Sequence, residues 1–211
     1  MKRSKFILLA FVAALVLMGA AYAAWTQTFR INSTVETGEL FVKVVNTNNE
    51  VMVDNGRDGY KVVDPEDAGI NFSVDPRSVS NSNGTQSTLS EISYNIGNLY
   101  PGTKIVSEFS FTNLGSINVS TTANGSVGTA NYPLWDALII KVDNIEVDGD
   151  SAGEKISNLA ETIRSKVGEL KTTDSPKTVT ITQELPYDSG NTVEKQELNW
   201  SVILTFTQSG N

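Results

Sequence analysis

The chain has 211 residues, 16 of them basic and 24 acidic, with no histidine and no cysteine. A net charge of −8 at pH 7 argues against nucleic acid as a partner. The missing His and Cys exclude Ser-His-Asp hydrolases, histidine-dependent zinc proteases and thiol nucleophiles; with no disulfide available, the fold must rest on a packed core, for which the length suits one domain.

Residues 1–24 read as a secretion signal. Lys2, Arg3 and Lys5 form a basic start, and the 19 residues from Phe6 to Ala24 carry no charge. Ala21-Tyr22-Ala23 fits cleavage after Ala23, and Ala24 offers a second site one residue on. An uncleaved anchor is the rival, since the run approaches the length that spans a bilayer. The small residues clustered at its end favour cleavage. A type IV pilin leader would be cut before the apolar run, and no Gly or Ala stands between Lys5 and Phe6. Removal of the leader leaves 187 residues, 13 basic against 24 acidic, net −11. The protein is therefore expected outside the cell, meeting the membrane only through its leader.

Residues 25–35 alternate. Trp25, Phe29, Ile31 and Val35 share one face with Gln27 and Ser33, and Thr26, Thr28, Arg30, Asn32 and Thr34 share the other. That is the period of a half-buried strand. No Asn-Gly or Asp-Gly hairpin joins it to the next apolar run, from which Gly38 merely separates it. An N-terminal strand with an apolar face needs a groove, supplied either by its own domain or by a neighbouring copy.

The rest reads as short strands near 40–45, 50–53, 59–63, 70–74, 92–96, 105–112, 117–123, 137–142, 178–184 and 198–207. They are separated by turn clusters such as Asp54-Asn55-Gly56, Asp64-Pro65, Asn83-Gly84, Tyr100-Pro101-Gly102 and Asp188-Ser189-Gly190. This spacing predicts a sandwich or barrel. Ile105, Ser107, Phe109 and Phe111 on one strand, and Trp200, Val202, Leu204 and Phe206 on another, are expected in the core. Ile156, Leu159, Ala160, Ile163, Val167 and Leu170 recur at helical spacing between Gly153 and Lys171, with Asp150 or Ser151 as the cap. A lid packed on the sandwich suits this helix; Glu154, Glu161 and Glu169 make its polar face too acidic for a membrane surface. The uncharged polar stretch 78–90 predicts a surface loop.

Asp148-Gly149-Asp150-Ser151-Ala152-Gly153 resembles the opening of a calcium loop. Ala152 occupies a ligand position, however, and Leu159 stands where the closing Glu belongs, so a turn into the helix is expected instead. Glycosylation sequons occur at Asn32, Asn71, Asn83, Asn118, Asn124 and Asn199. Asn83, in the polar stretch, is the best placed; Asn32 and Asn199 fall in expected strands.

Four pieces of the chain resemble the TasA and camelysin family of secreted biofilm-matrix proteins. They are the leader end Gly19-Ala20-Ala21-Tyr22-Ala23-Ala24 before Trp25; Thr37-Gly38-Glu39-Leu40; the run from Ile96-Gly97-Asn98-Leu99-Tyr100-Pro101-Gly102 into Glu108-Phe109-Ser110-Phe111-Thr112-Asn113 and Gly115-Ser116; and the closing strand 198–208. The resemblance moves the cleavage site to after Ala24, by a SipW-like signal peptidase. It implies a jelly-roll β-sandwich over 38–211 with a helical insertion, and an N-terminal donor strand at 25–37 that enters a groove of the next subunit. The product would be a homopolymeric, pilus-like fibre in the biofilm matrix, with accessory matrix proteins as further partners. Related bundling pili occur in archaea. The camelysin name also carries a casein-cleaving metalloprotease activity, but no metal-site motif receives it here. No catalytic residue, metal or cofactor is carried over. The expectation is thus a secreted structural subunit, with a carboxylate-ligated metalloendopeptidase and a monomeric surface-associated sandwich as alternatives.

N-terminal sequencing of the secreted protein should return Trp25 as its first residue. Recovery of Met1, or of a residue inside the apolar run, would contradict this.

Overall fold

The computed structural model describes residues 12–15, 38–80, 87–128, 132–190, 193 and 196–209. The expected strand at 25–37, with Trp25, Phe29, Ile31 and Val35, lies outside the described residues, as do Ala23, Ala24 and Asn83. No described helix is long and apolar enough to cross a membrane.

From Gly38 onward the described chain forms ten strands and two helices. In order they are β1 (Val42–Asp54), β2 (Tyr60–Val63), β3 (Asn71–Ser80), β4 (Ser87–Gly97), β5 (Thr103–Asn113), β6 (Val119–Val127), α1 (Tyr132–Ala137), β7 (Ile139–Val142), β8 (Ile145–Glu146), α2 (Ala152–Val167), β9 (Lys177–Leu185) and β10 (Glu197–Gln208). One sheet has the order β2-β1-β5-β9-β7-β8 and the other β3-β4-β10-β6, with every pairing antiparallel. Their inner faces meet in one core. This is the mostly β sandwich that the strand spacing predicts.

Alternation sets the core. Along β5, Ile105, Ser107, Phe109 and Phe111 point inward and are buried, as are Trp200, Val202, Leu204 and Phe206 along β10. Tyr94 of β4 stacks on Trp200 at 4.2 Å between ring centroids and meets Phe109 of the facing sheet edge-on at 6.2 Å. Trp200 Nε1 donates across the sandwich to Gln183 Oε1 of β9 at 3.0 Å. A buried indole N–H needs such a partner, so one hydrogen bond fixes β10 against β9. Burial pushes the Tyr94 phenol well above its ordinary range, which keeps it neutral in the core.

Several expected boundaries are corrected. The runs at 40–45 and 50–53 belong to one strand, β1, which passes through a bulge between Asn46 and Asn48. Apolar residues face inward at even positions before the bulge (Val42, Val44) and at odd positions after it (Val51, Val53). A single extra residue produces that slip. The expected loop at 78–90 is shorter, because β3 runs to Ser80 and β4 begins at Ser87. The strand expected at 137–142 gives up its first residue to α1, and neither α1 nor the two-residue β8 was expected.

The helix ends at Val167, earlier than expected, where Gly168 takes φ 55° and closes it through its N–H to Arg164 O. Ser151 is its N-cap: its side chain accepts from the Glu154 N–H, and a Glu154 carboxylate oxygen accepts from the Asp150 N–H. Ile156, Leu159, Ala160, Ile163 and Val167 are buried. Leu170 is buried too, but beyond the helix, in a bridge to Val119 of β6.

Gln183→Leu should strand the Trp200 donor and lower Tm by about 2–12 °C. This takes about 1–3 kcal/mol for an orphaned buried donor and about 2–4 °C per kcal/mol in a chain of this size. Thr182→Val, on the outward side of the same strand, should change Tm by no more than about 2 °C. A scanning calorimetry trace in which the two variants melt together would contradict the cross-sheet role.

Candidate functional site

A β-sandwich must account for the backbone groups along the outer flank of each edge strand, because unpaired edges recruit other chains. In this domain most edges are dealt with. β2 and β8 are four and two residues long, too short to template much. β6 is covered by α2: Gly125 lies so close to the helix that a Cβ there would sit 2.6 Å from Ile156 O. Thr121 Oγ1 donates to Gly168 O at 2.6 Å, and Val119 and Leu170 exchange backbone hydrogen bonds. The unpaired end of β9 is held by side chains. Asp143 Oδ1 accepts from the Thr180 N–H at 2.8 Å, and Lys177 Nζ donates to Val167 O and Glu169 O.

Two flanks are different. β3 pairs with β4 throughout and has no described strand on its other side, but Pro76 sits within it opposite Ile92. A proline inside a paired strand must turn its nitrogen to the free side, so this edge is blunted. β1 is paired with β5 along nearly its full length, yet β2 covers only 51–54 of its other flank. No described strand pairs with the remainder of that flank.

The ladder between β1 and β5 also continues past the first residue of β1. Leu114 donates to Phe41 O at 2.9 Å and Ser116 to Glu39 O at 2.8 Å, in the register of Val42 with Asn113. Ser116 Oγ accepts from the Glu39 N–H at 2.8 Å. The close approach continues at Gly38, where any Cβ would run into Ile117 Cγ2. The open flank therefore reaches from 38 to 50. These glycines carry the Thr37-Gly38-Glu39-Leu40 and Gly115-Ser116 segments of the sequence: a Cβ at Gly115 would strike Glu39 O.

The core is less well covered toward this flank. Ile92, Tyr94 and Ile96 of β4 are buried, whereas Phe72, Val74 and Pro76 of the neighbouring β3 are only half-buried. In β1 the inward positions between buried Val44 and buried Val51 are Asn46 and Asn49; Asn46 is half-buried and Asn49 exposed. They bond to each other, with Asn49 Nδ2 donating to Asn46 Oδ1 at 2.6 Å.

The calcium-like run at 148–153 is the approach to α2, organised by the Ser151 and Glu154 caps and by Asn158 Nδ2, which donates to Asp148 O. No group of three or more His, Cys, Asp or Glu suited to a metal ion occurs among the described residues. Of the sequons, Asn71 and Asn124 are exposed. Asn118 is exposed but accepts from the Thr172 N–H, and Asn199 is half-buried. The larger surface hollow, about 520 Å³, is lined by residues including Asp64, Glu66, Asn71, Asn95 and Glu197. A second of about 440 Å³ runs over the outer face of the four-stranded sheet past Ser73, Asp75, Glu91, Ser93 and Ser201.

Lys155 and Tyr60 are perturbed for structural reasons. Lys155 Nζ donates to Trp135 O and Leu138 O, at 3.2 and 2.5 Å, and so ties α2 to the end of α1; burial lowers its pKa. Tyr60 donates to Glu184 Oε1 at 2.8 Å beneath the Lys104 ammonium. Burial, and then the Glu184 hydrogen bond, raise its pKa. Both are packing arrangements on otherwise ordinary surface.

No protein-family model, curated protein or solved structure matches the chain.

The open flank of β1 is the feature sequence reasoning missed. The polar run Asn46-Thr47-Asn48-Asn49 signals only the bulge of β1, although it reads as a break between two strands.

Melting curves at saturating calcium and in excess chelator should agree within about 1 °C. A calcium site at 148–153, filled at a hundredfold over its Kd, would contribute about 2.7 kcal/mol and raise Tm by several degrees.

Proposed function

We propose that the protein is a secreted structural subunit that polymerises by donating its N-terminal strand, residues 25–37, to a neighbouring copy. The fibres would belong to the extracellular matrix. The observation that carries this reading is the match of two complementary features: an alternating apolar and polar sequence at 25–35 and a sandwich whose β1 flank has no described partner. The resemblance to the TasA and camelysin family, carried by the leader end, the segment at 37–40, the run at 96–116 and the strand at 198–208, supports the same reading and adds the jelly-roll expectation. Export and cleavage after Ala24 are part of the proposal, because a retained leader would tether the strand to the membrane.

The energetics are compatible. Eleven extended residues reach about 36 Å at roughly 3.3 Å each, enough to run along a small sandwich. Burial of Trp25, Phe29, Ile31 and Val35 is worth about 1.5–3 kcal/mol apiece. Strand addition draws affinity from backbone hydrogen bonds and register from alternate side chains. Charge on the apolar face should therefore be far more damaging than charge on the polar face.

Phe29→Asp or Ile31→Asp should give a folded, soluble monomer without fibres, whereas Thr28→Asp should still polymerise. Negative-stain microscopy with circular dichroism of the same samples reads both properties. Normal fibres from the Phe29→Asp and Ile31→Asp proteins would contradict strand donation, and their unfolding as subunits would favour a strand packed on its own domain.

A further inference from the structure

Strand donation requires an acceptor, and the edges of this domain are unequal. Of the four long flanks among the described residues, that of β6 is covered by α2, the unpaired end of β9 is satisfied at Thr180 by the N–H and carboxylate of Asp143, and that of β3 is blunted by Pro76. The flank of β1 from 38 to 50 carries none of these devices on its open side. Resting on the strand-donation reading, we propose that this flank is the acceptor edge, on which residues 25–35 of a second copy are added as a strand beside β1.

The ladder parity identifies the backbone groups that would receive it. Phe41 and Glu39 direct their carbonyls to the β5 side, so the N–H and C=O of Val42 and Val44 face away from β5, toward the open flank. The bulge between Asn46 and Asn48 shifts this parity by one residue. Beyond it, the Asp54 N–H points to Gly102 on the β5 side, which leaves Asn49 directed outward. Val42, Val44 and Asn49 thus offer donors and acceptors to an incoming strand.

Side chains agree with this placement. A strand laid on the β1 flank turns one face toward the core, where Phe72, Val74 and Pro76 of β3 are half-buried. Trp25, Phe29, Ile31 and Val35 would extend the apolar layer over them. The same face of the donor is interrupted by Gln27 and Ser33, as the inward face of β1 is interrupted by Asn46 and Asn49. The free flank spans 13 residues from 38 to 50, and the alternating strand 11 from 25 to 35.

The sequence before Gly38 offers no tight hairpin that would fold the same chain back onto this flank. From Phe41 back to Gly38 the backbone keeps the register of the β5 ladder and continues in line with β1. Glu36-Thr37 lacks the Asn-Gly or Asp-Gly chemistry of a tight hairpin.

Complementary variants of the mature chain test the assignment. Phe29→Asp disables the donor, and Asn49→Pro removes an outward N–H from the acceptor while leaving the β5 ladder intact. Each alone should sediment as a monomer. Mixed, they should form a 1:1 heterodimer and stop, since only one donor and one acceptor remain. Fibres from Asn49→Pro alone, or a mixture that stays monomeric, would overturn the assignment. If Asn49→Pro does not fold, hydrogen exchange decides. The amides of Val42, Val44 and Asn49 should exchange at least about tenfold more slowly in wild-type fibres than in Phe29→Asp monomers. Fibres in which these rates are unchanged overturn the acceptor assignment alone. A wild-type chain that stays monomeric overturns the strand-donation reading, and the acceptor assignment with it.

Discussion

Alternate residues along a sheet edge turn both an N–H and a C=O outward, and these groups must find partners in the protein, in water or in another chain. Much of this domain's irregular structure answers that requirement. The capped helix α2 exists as a lid because its buried stripe and the close approach at Gly125 let it cover β6, while Lys177 and Asp143 hold the unpaired end of β9. Pro76 does by subtraction at β3 what the helix does by covering β6. The flank of β1 from 38 to 50 stands apart, and the proposed assembly follows from that inequality.

The two sides of the sandwich are consequently unlike. On the α2 side, Ile156, Leu159 and Ile163 complete the core, and the Trp200 to Gln183 hydrogen bond fixes one sheet over the other. On the β1 side, burial falls from Tyr94 to Phe72 and Val74, and the polar Asn46 and Asn49 interrupt the inward row. Bulges are a common device for discouraging edge pairing. Here the bulge also reverses which residues face the open side, so it sets the register that an added strand would have to match. The proposed donor face of Trp25, Phe29, Ile31 and Val35, with polar breaks at Gln27 and Ser33, would suit such an edge.

Much of the sandwich was legible in the sequence, since alternation in 105–111 and 200–206 and helical spacing in 156–167 are direct consequences of burial on one face. Turn chemistry was equally readable: Gly56, Gly102 and Gly190 all adopt positive φ at expected turns. β1 was harder to read. Its two apolar stretches differ in parity, and only the pairing partner β5 shows that they form one bulged strand. The ends of β3 and β4 were hidden for a related reason, because Ser, Thr and Asn carry little apolar alternation and owe their strand conformation to the ladder between them. Which flank lies open is a property of tertiary pairing, so no local pattern could have disclosed it. The alternation of apolar and polar residues at 25–35, in contrast, is a local pattern readable in the sequence itself.

The most direct measurement is a helical reconstruction, by electron cryomicroscopy at side-chain resolution, of fibres grown from the mature protein. It should show an additional strand alongside β1, with Phe29 and Ile31 turned toward Phe72 and Val74 and with its chain continuing into Gly38 of the next subunit. A strand that connects to Gly38 of the same subunit, or fibres whose subunits touch elsewhere while the β1 flank stays bare, would contradict the proposed assembly.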